Sequence, residues 1–294
     1  MRRIGIYPTL VSRVFDKRYI FAMADGDGYR VCIVGAGLAG TLTGLLLSKL
    51  GCMQVSVYEK REDYRYCCLE KDSGELDSKV FGTSTSATKR SINLALSERG
   101  MIALKEVGAL ETVMKHAVRM PCRVIHSINK PDVKQAYGQA NEAIWSVGRK
   151  LINTTLLQMA EHDDNLQLFF GYSFVCCSDD GICTFESPSG RVVTDSFDLV
   201  IGADGAYSSV RDSMLRKGRI NFSRQYIAHG YKELSIPPVL KPVLGSDEQS
   251  HVEDYALSNP EGLHIWPRKE FMLIAIPNPD KSFTATLFAP YKGR

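Results

Sequence analysis

RVCIVGAGLAGTLTGLLLSKLGCMQVSVYEKR, residues Arg30 to Arg61, decides the fold of this chain. Val31, Ile33 and Val34 read as a short buried strand, β-branched and bounded by glycine. Gly35, Gly37 and Gly40 follow with the spacing G-x-G-x-x-G. The first glycine permits a tight turn, the second lets a pyrophosphate approach the backbone, and the third lets helix and strand pack closely. Leu38 to Leu50 continues as an apolar helix, and Gly51 stands where a left-handed cap would stop it. Near Leu38 and Ala39 the start of that helix offers unpaired N–H groups and a positive dipole end to phosphate. Gln54 to Tyr58 reads as a second strand, and Glu59 at its end can accept both ribose hydroxyl protons. Strand, glycines, helix, strand and acid in that order point to a nucleotide-binding βαβ unit.

The rest of the composition narrows the class. A chain of 294 residues buries a full core as one large domain or two entangled ones. Hydrophobic content of 44% and charged content of 23% are ordinary for a globular protein. A net charge of +3, with no base-stacking motif, gives no reason to expect nucleic acid. The eight cysteines lack C-x-x-C or zinc spacing, the six histidines lack H-E-x-x-H, and no metal site is expected. The adjacent pairs Cys67-Cys68 and Cys176-Cys177 suit buried thiols of a reducing compartment better than a disulfide framework. No apolar run approaches the ~20 residues needed to span a bilayer.

Working outward, residues 1–28 precede the unit as a leader. Arg2, Arg3, Arg13, Lys17 and Arg18 outweigh Asp16 there, which suits either a mitochondrial transit peptide or a disordered segment. Residues 62–89 lose periodicity and read as a flexible loop. A helix to about Val107 follows, with Ser97 to cap it and Gly108 to end it. Arg123 to Ser127 and Ala143 to Val147 read as strands, and a helix begins near Arg149. Between 166 and 194 the period changes to two, which predicts a β-meander of Leu166–Phe170, Tyr172–Cys177, Ile182–Glu186 and Arg191–Thr194. Phe197 to Gly202 is another buried strand. It ends in Ala203-Asp204-Gly205-Ala206, where Asp204 is either a second ligand contact or an ordinary turn aspartate. His229–Ile236, Gly262–Pro267, Phe271–Pro277 and Phe283–Pro290 alternate like one antiparallel sheet, with Pro237 to Pro260 as a long polar loop. The Arg216-Lys217-Gly218-Arg219 cluster reads as a solvated face.

Three motifs now stand in order: G-A-G-L-A-G at Gly35, R-S-I-N-L-A-L-S-x-R-G from Arg90 to Gly100, and Asp204-Gly205. The glycine motif followed by the Asp-Gly motif resembles the FAD-dependent aromatic hydroxylases, the group A flavin monooxygenases. The Arg90 block, with Arg123 to Ser127, His229-Gly230-Tyr231 and Leu263 to Arg268, is similar to the members that hydroxylate kynurenine. The likeness runs from about Arg30 to Pro290.

The resemblance implies an α/β fold. A Rossmann-type FAD-binding domain over 29–225, with a β-meander inserted at 166–194, would stand beside a substrate-side antiparallel sheet over 226–294. FAD would lie on Gly35, Gly37, Ala39 and Gly40, with Tyr58, Glu59, Lys60 and Arg61 along the nucleotide. Ala95 and Arg149 would face the flavin, and Asp204 and Gly205 would touch the pyrophosphate and serve NADPH. Arg123 would pair with the carboxylate of L-kynurenine beside Tyr137, since an arginine fork binds a carboxylate through two bonds where a lysine offers a point charge. The reaction implied is hydroxylation of the ring to 3-hydroxy-L-kynurenine with NADPH and O2, a step of tryptophan catabolism toward quinolinate and NAD. The cofactor carries that chemistry, so no catalytic acid, base or nucleophile is expected. The resemblance also implies a further glycine–aspartate motif for the ribitol chain and helices that anchor to the mitochondrial outer membrane, both beyond Arg294. The chain is therefore expected to be C-terminally incomplete. The alternatives are a non-catalytic FAD-binding fragment or a hydroxylase of another aromatic ring.

Overall fold

The structure is a computed structural model, and it describes residues 28–51, 53–66, 93–139, 141–242 and 251–292. The expected leader, all of the expected loop after Tyr66, Cys67-Cys68 and the start of the Arg90 motif lie outside these residues. In chain order the first elements are β1 (Tyr29–Val34), α1 (Leu38–Ser48), β2 (Met53–Glu59), β3 (Asn93–Leu96), α2 (Glu98–Val107), α3 (Leu110–Met114), β4 (Val118–Met120) and β5 (Cys122–Ile125). Next come β6 (Val133–Ala136), β7 (Ile144–Gly148), α4 (Arg149–Glu161), β8 (Leu166–Phe170), β9 (Ser173–Cys177), β10 (Ile182–Glu186), β11 (Val192–Ser196) and β12 (Leu199–Gly202). The last are α5 (Ser209–Lys217), β13 (His229–Ile236), β14 (Val239–Pro242), β15 (His251–Asp254), β16 (Gly262–Arg268), β17 (Phe271–Pro277) and β18 (Phe283–Pro290).

The described residues divide into two compact units, one within Met1–Thr83 and Asn153–Phe222, the other within Ser84–Ile152 and Ser223–Arg294. This division corrects the expected boundary at residue 225. Residues 93–152 belong with the C-terminal sheet, because β5 hydrogen-bonds in parallel to β16 with Arg123 opposite Leu263.

The first unit is built on a parallel sheet of order β12-β1-β2-β8. Val31, Cys32 and Ile33 are fully buried because both faces of β1 are covered, so its sequence is an apolar run without alternation. On one face α1 comes close through Gly44, where a Cβ would sit 2.9 Å from Leu166 and 3.3 Å from Val57. On the other face Cys32, Val34 and Tyr58 join Phe174, Cys183, Phe185 and Phe197 in one cluster. Phe185, fully buried, stacks on Tyr58 at 3.9 Å, and a side chain of that size contributes roughly 1.5–3 kcal/mol.

Leu166–Phe170 departs from expectation. It is β8, the edge of the parallel sheet, and the antiparallel meander is β11-β10-β9 alone. A half-buried parallel edge strand carries the same period of two as a meander strand, so pattern alone cannot assign its partner. Successive side chains of β9 face opposite sides, which splits the pair Cys176-Cys177: Cys177 is buried, with its thiol pushed up to about 12 by burial, while Cys176 is exposed.

In the second unit β13, β18, β17 and β16 pair antiparallel in that order, and β5 and β6 extend them to six strands. A three-stranded sheet β3-β7-β4 and a hairpin of β14 and β15 complete it. That hairpin occupies part of the stretch expected to be a polar loop. Ser97 is the N-cap position of α2 without a side-chain hydrogen bond, and Gly108 ends α2 at φ +82°. No helix among the described residues is long and apolar enough to cross a membrane.

Candidate functional site

The glycine turn of the first unit is held by backbone bonds at the C-terminal ends of three adjacent strands. Gly35 N donates to Tyr58 O at 2.7 Å, and Ala203 N donates to Val34 O at 2.8 Å. Gly35 adopts φ +108°, and a Cβ on it would lie 2.5 Å from Ala203 O. A Cβ on Gly40 would lie 1.8 Å from Gly35 O, so α1 crosses the end of β1 with no room for a side chain. Gly37 differs from both, having an ordinary φ of −77° and nothing within 4 Å of a Cβ. The open space there is where a second backbone, or a pyrophosphate, can approach.

Behind that space α1 begins without a side-chain cap and with no acidic residue in its first turn. Its first N–H groups and the positive end of its dipole are therefore left to an anion. Ala39 is exposed on this first turn. The residues present fit a dinucleotide.

Glu59 ends β2 and is buried. Its Oε2 accepts from Ala36 N at 3.0 Å, and its Oε1 accepts from Arg61 N at 3.1 Å and Arg61 Nε at 2.9 Å. Burial works to raise its pKa, but the bonds from Arg61 and Ala36 outweigh it and hold the carboxyl below its usual value. Ala36 was not among the residues singled out above; its role follows from the turn, which aims its N–H back at the carboxylate. Lys60 and Arg61 are exposed beside it. The chain just beyond is pinned where a flexible loop was expected. Arg65 is bonded to Asp63 and Glu161, and Tyr64 Oη lies 3.2 Å from Thr154 Oγ1 and accepts from Asn153 Nδ2 at 3.2 Å.

Tyr58 and Asp204 stand differently from expectation. The Tyr58 ring is stacked between Phe169 and Phe185 at 4.7 and 3.9 Å, so only its backbone can line a nucleotide. Period two explains this: Glu59 faces the turn, so its neighbour faces the meander core. The Asp204 carboxylate accepts from Ser208 Oγ, from Ser209 N at 2.6 Å and from Val210 N at 3.2 Å. It bonds the first two N–H groups of α5, whose N-cap is Ser208, as a turn aspartate does. The exposed backbone of Gly205, at φ +85° and with open space around it, is what remains for a ligand.

The second unit brings together the other candidates. Arg123 on β5 is exposed, and its guanidinium lies 4.9 Å from the ring centroid of Tyr137, just past β6. Burial raises the Tyr137 phenol above its ordinary value against the pull of Arg123. Ala95 pairs with Ser146 on β7, and Arg149 opens α4 directly after that strand, both exposed. Of these four residues, Arg123 and Tyr137 are in contact.

The family model described as FAD binding domain matches residues 28–272. Kynurenine 3-monooxygenase of Sus scrofa is 38% identical over 263 residues, covering 89% of this chain and 49% of that protein. The proteins of the same name from Anopheles gambiae and Saccharomyces cerevisiae are each 39% identical, covering 94% and 88% of this chain and 52% and 53% of theirs. The chain spans about half the length of these relatives. Among solved structures, the tetrameric form of 2-methyl-3-hydroxypyridine-5-carboxylic acid oxygenase superposes with a TM-score of 0.62 at 20% identity, over 90% of this chain and 60% of that one. An HpxO variant from Klebsiella pneumoniae complexed with FAD reaches 0.62 at 14% identity, over 90% and 58%.

Proposed function

Because the chain belongs to the FAD binding domain family, we propose that it is the nucleotide-holding part of a kynurenine 3-monooxygenase. The observation that carries this reading is the open cradle at Gly37, set between an uncapped helix start and the ionised carboxylate of Glu59. Gly35, Gly37, Ala39 and Gly40 hold the pyrophosphate side, and Glu59 takes the ribose hydroxyls. The backbone of Tyr58, with Lys60 and Arg61, lines the adenosine. Gly205 adds a backbone approach for pyrophosphate, with Asp204 holding that turn rigid. Ala95 and Arg149 serve the flavin side. When bound, FAD reduced by NADPH supplies the O2 chemistry that hydroxylates the ring.

The substrate is L-kynurenine in this reading, which the 36–39% identity to the curated relatives supports. Arg123 receives its carboxylate through two parallel N–H···O bonds, and Tyr137 keeps the guanidinium plane in place from below. Association with the mitochondrial outer membrane belongs to the same proposal and rests on the resemblance alone.

Two titrations test the reading. Glu59→Ala is expected to weaken FAD binding by about 1.5–3 kcal/mol, the worth of a hydrogen bond to a charged group, with the far-ultraviolet dichroism unchanged. An unaltered FAD titration would remove Glu59 from the ribose. Arg123→Lys keeps the charge and loses the planar fork, so kynurenine affinity should fall about tenfold while FAD content stays constant. Equal kynurenine affinity in the two proteins would overturn the assignment of Arg123.

A further inference from the structure

A file of polar groups crosses the second unit that the flavin reading does not use. His126 Nδ1 lies 2.8 Å from Asp132 Oδ1, His126 Nε2 lies 2.8 Å from His264 Nδ1, and His264 Nε2 lies 3.2 Å from the carbonyl oxygen of Asn259. His264 is fully buried and the His126 side chain is 14% exposed. Trp266 stacks on His126 at 4.3 Å, and Phe283 meets His264 edge-on at 5.4 Å. Asn259 holds its carbonyl in place from a left-handed conformation at φ 60°.

Counting protons in this file gives a definite result. Both ends, an ionised carboxylate and a backbone carbonyl, can only accept. Three hydrogen bonds therefore need three N–H groups on four ring nitrogens, whereas two neutral imidazoles carry two. The file is complete only when the histidine pair holds a third proton. His264 cannot be its seat, since burial first, and then the neighbouring His126, lower its pKa to about 4. The third proton belongs to His126, beside Asp132. Of the other groups near His126, Arg268 opposes that charge while its Nη1 donates to the His126 carbonyl at 2.9 Å. Lys134, opposite Val124 on β6, is exposed, and β16, β17 and β18 contribute Trp266, Leu273, Ala275 and Phe283, all uncharged.

We propose that Asp132, His126 and His264 form a proton-dependent brace between β5 and β16 that sets the position of Arg123. His126, directly after β5, closes that end of the brace, and its backbone N–H donates to Ile265 O at 2.9 Å. Arg123 lies on β5 three residues before His126, and by alternation it projects from the face opposite the buried Val124. With the third proton all links close and β5 is held rigidly behind Arg123. Without it one link opens, and the strand that carries the guanidinium loosens. His126 is a positioning residue in this scheme and does not touch substrate.

The brace itself can be read without a ligand, by the histidine and arginine ¹⁵N resonances of the chain. Protons are expected on both nitrogens of His126 and on Nε2 alone of His264. Asp132→Asn keeps an acceptor but removes the charge that favours the third proton, so one link should open and the Nε signal of Arg123 should shift. A third proton found on His264, or an Arg123 signal indifferent to Asp132→Asn, would overturn the proposal. The consequence for ligand rests on Arg123 being the carboxylate site. There, kynurenine affinity should fall about threefold to tenfold in Asp132→Asn, the worth of one hydrogen bond. A protein that binds no kynurenine at any pH would refute the substrate reading and leave the brace to be decided by the Arg123 signal.

Discussion

Gly40→Ala is expected to unfold the first unit, and Gly37→Ala to leave it folded but unable to hold FAD. The two substitutions add the same methyl group three residues apart. At Gly40 the methyl would lie 1.8 Å from Gly35 O, a backbone atom itself fixed by the bond from Gly35 N to Tyr58 O. Relief requires α1 to lift from β1, which breaks the packing of Gly44 against Leu166 and Val57. The cost should be about 3–5 kcal/mol, a large part of the stability of any ordinary domain. At Gly37 the methyl meets nothing and the backbone is in an ordinary region, so stability should fall by no more than about 1 kcal/mol, the loss of a good N-cap residue. It stands instead where a pyrophosphate must approach, so FAD affinity should fall on the order of tenfold to a hundredfold. Denaturant unfolding and an FAD titration on both variants separate the two effects. Equal stabilities would show that the glycine turn is not the tight crossing described.

The stability that neutral His264 gives the second unit should be lost on acidification. His264 has its pKa lowered from 6.5 to about 4, first by burial and then by His126. As pH falls, the unfolded chain therefore takes up this proton before the folded one does. The stabilising contribution of neutral His264 is complete above about pH 6.5 and is lost progressively down to about pH 4. At about 1.4 kcal/mol per pH unit it amounts to something on the order of 3 kcal/mol. Trp145 and Trp266 both lie in this unit, so tryptophan fluorescence follows its unfolding. His264→Gln can still donate to Asn259 O and has no proton to gain. The part of the pH slope that belongs to His264 should vanish in this variant across that window. Parallel slopes in wild type and variant would show that another group is responsible. Glu59 in the first unit is held below its usual value by Arg61 and Ala36, so its contribution is present above the ordinary carboxylate range and lost below it.

The sequence by itself determined whatever depends on a few neighbouring residues. The βαβ unit from Tyr29 to Glu59, the crowded glycines and the stop of α2 at Gly108 all follow from chain chirality, glycine freedom and apolar period. These operate over one or two turns and leave a mark wherever they act. The location of Glu59 at the end of β2 was legible for the same reason. Tertiary structure alone decided which strands are neighbours and which way equivalent side chains are spent. β8 could have joined the meander, and β5 could have stayed with the first unit, because a strand's pattern records that one face is buried but not against what. His126 and His264, 138 residues apart, meet only because β5 and β16 pair in one register. Long-range partnership of this kind is fixed by the packing of whole sheets, and no local run of residues carries it.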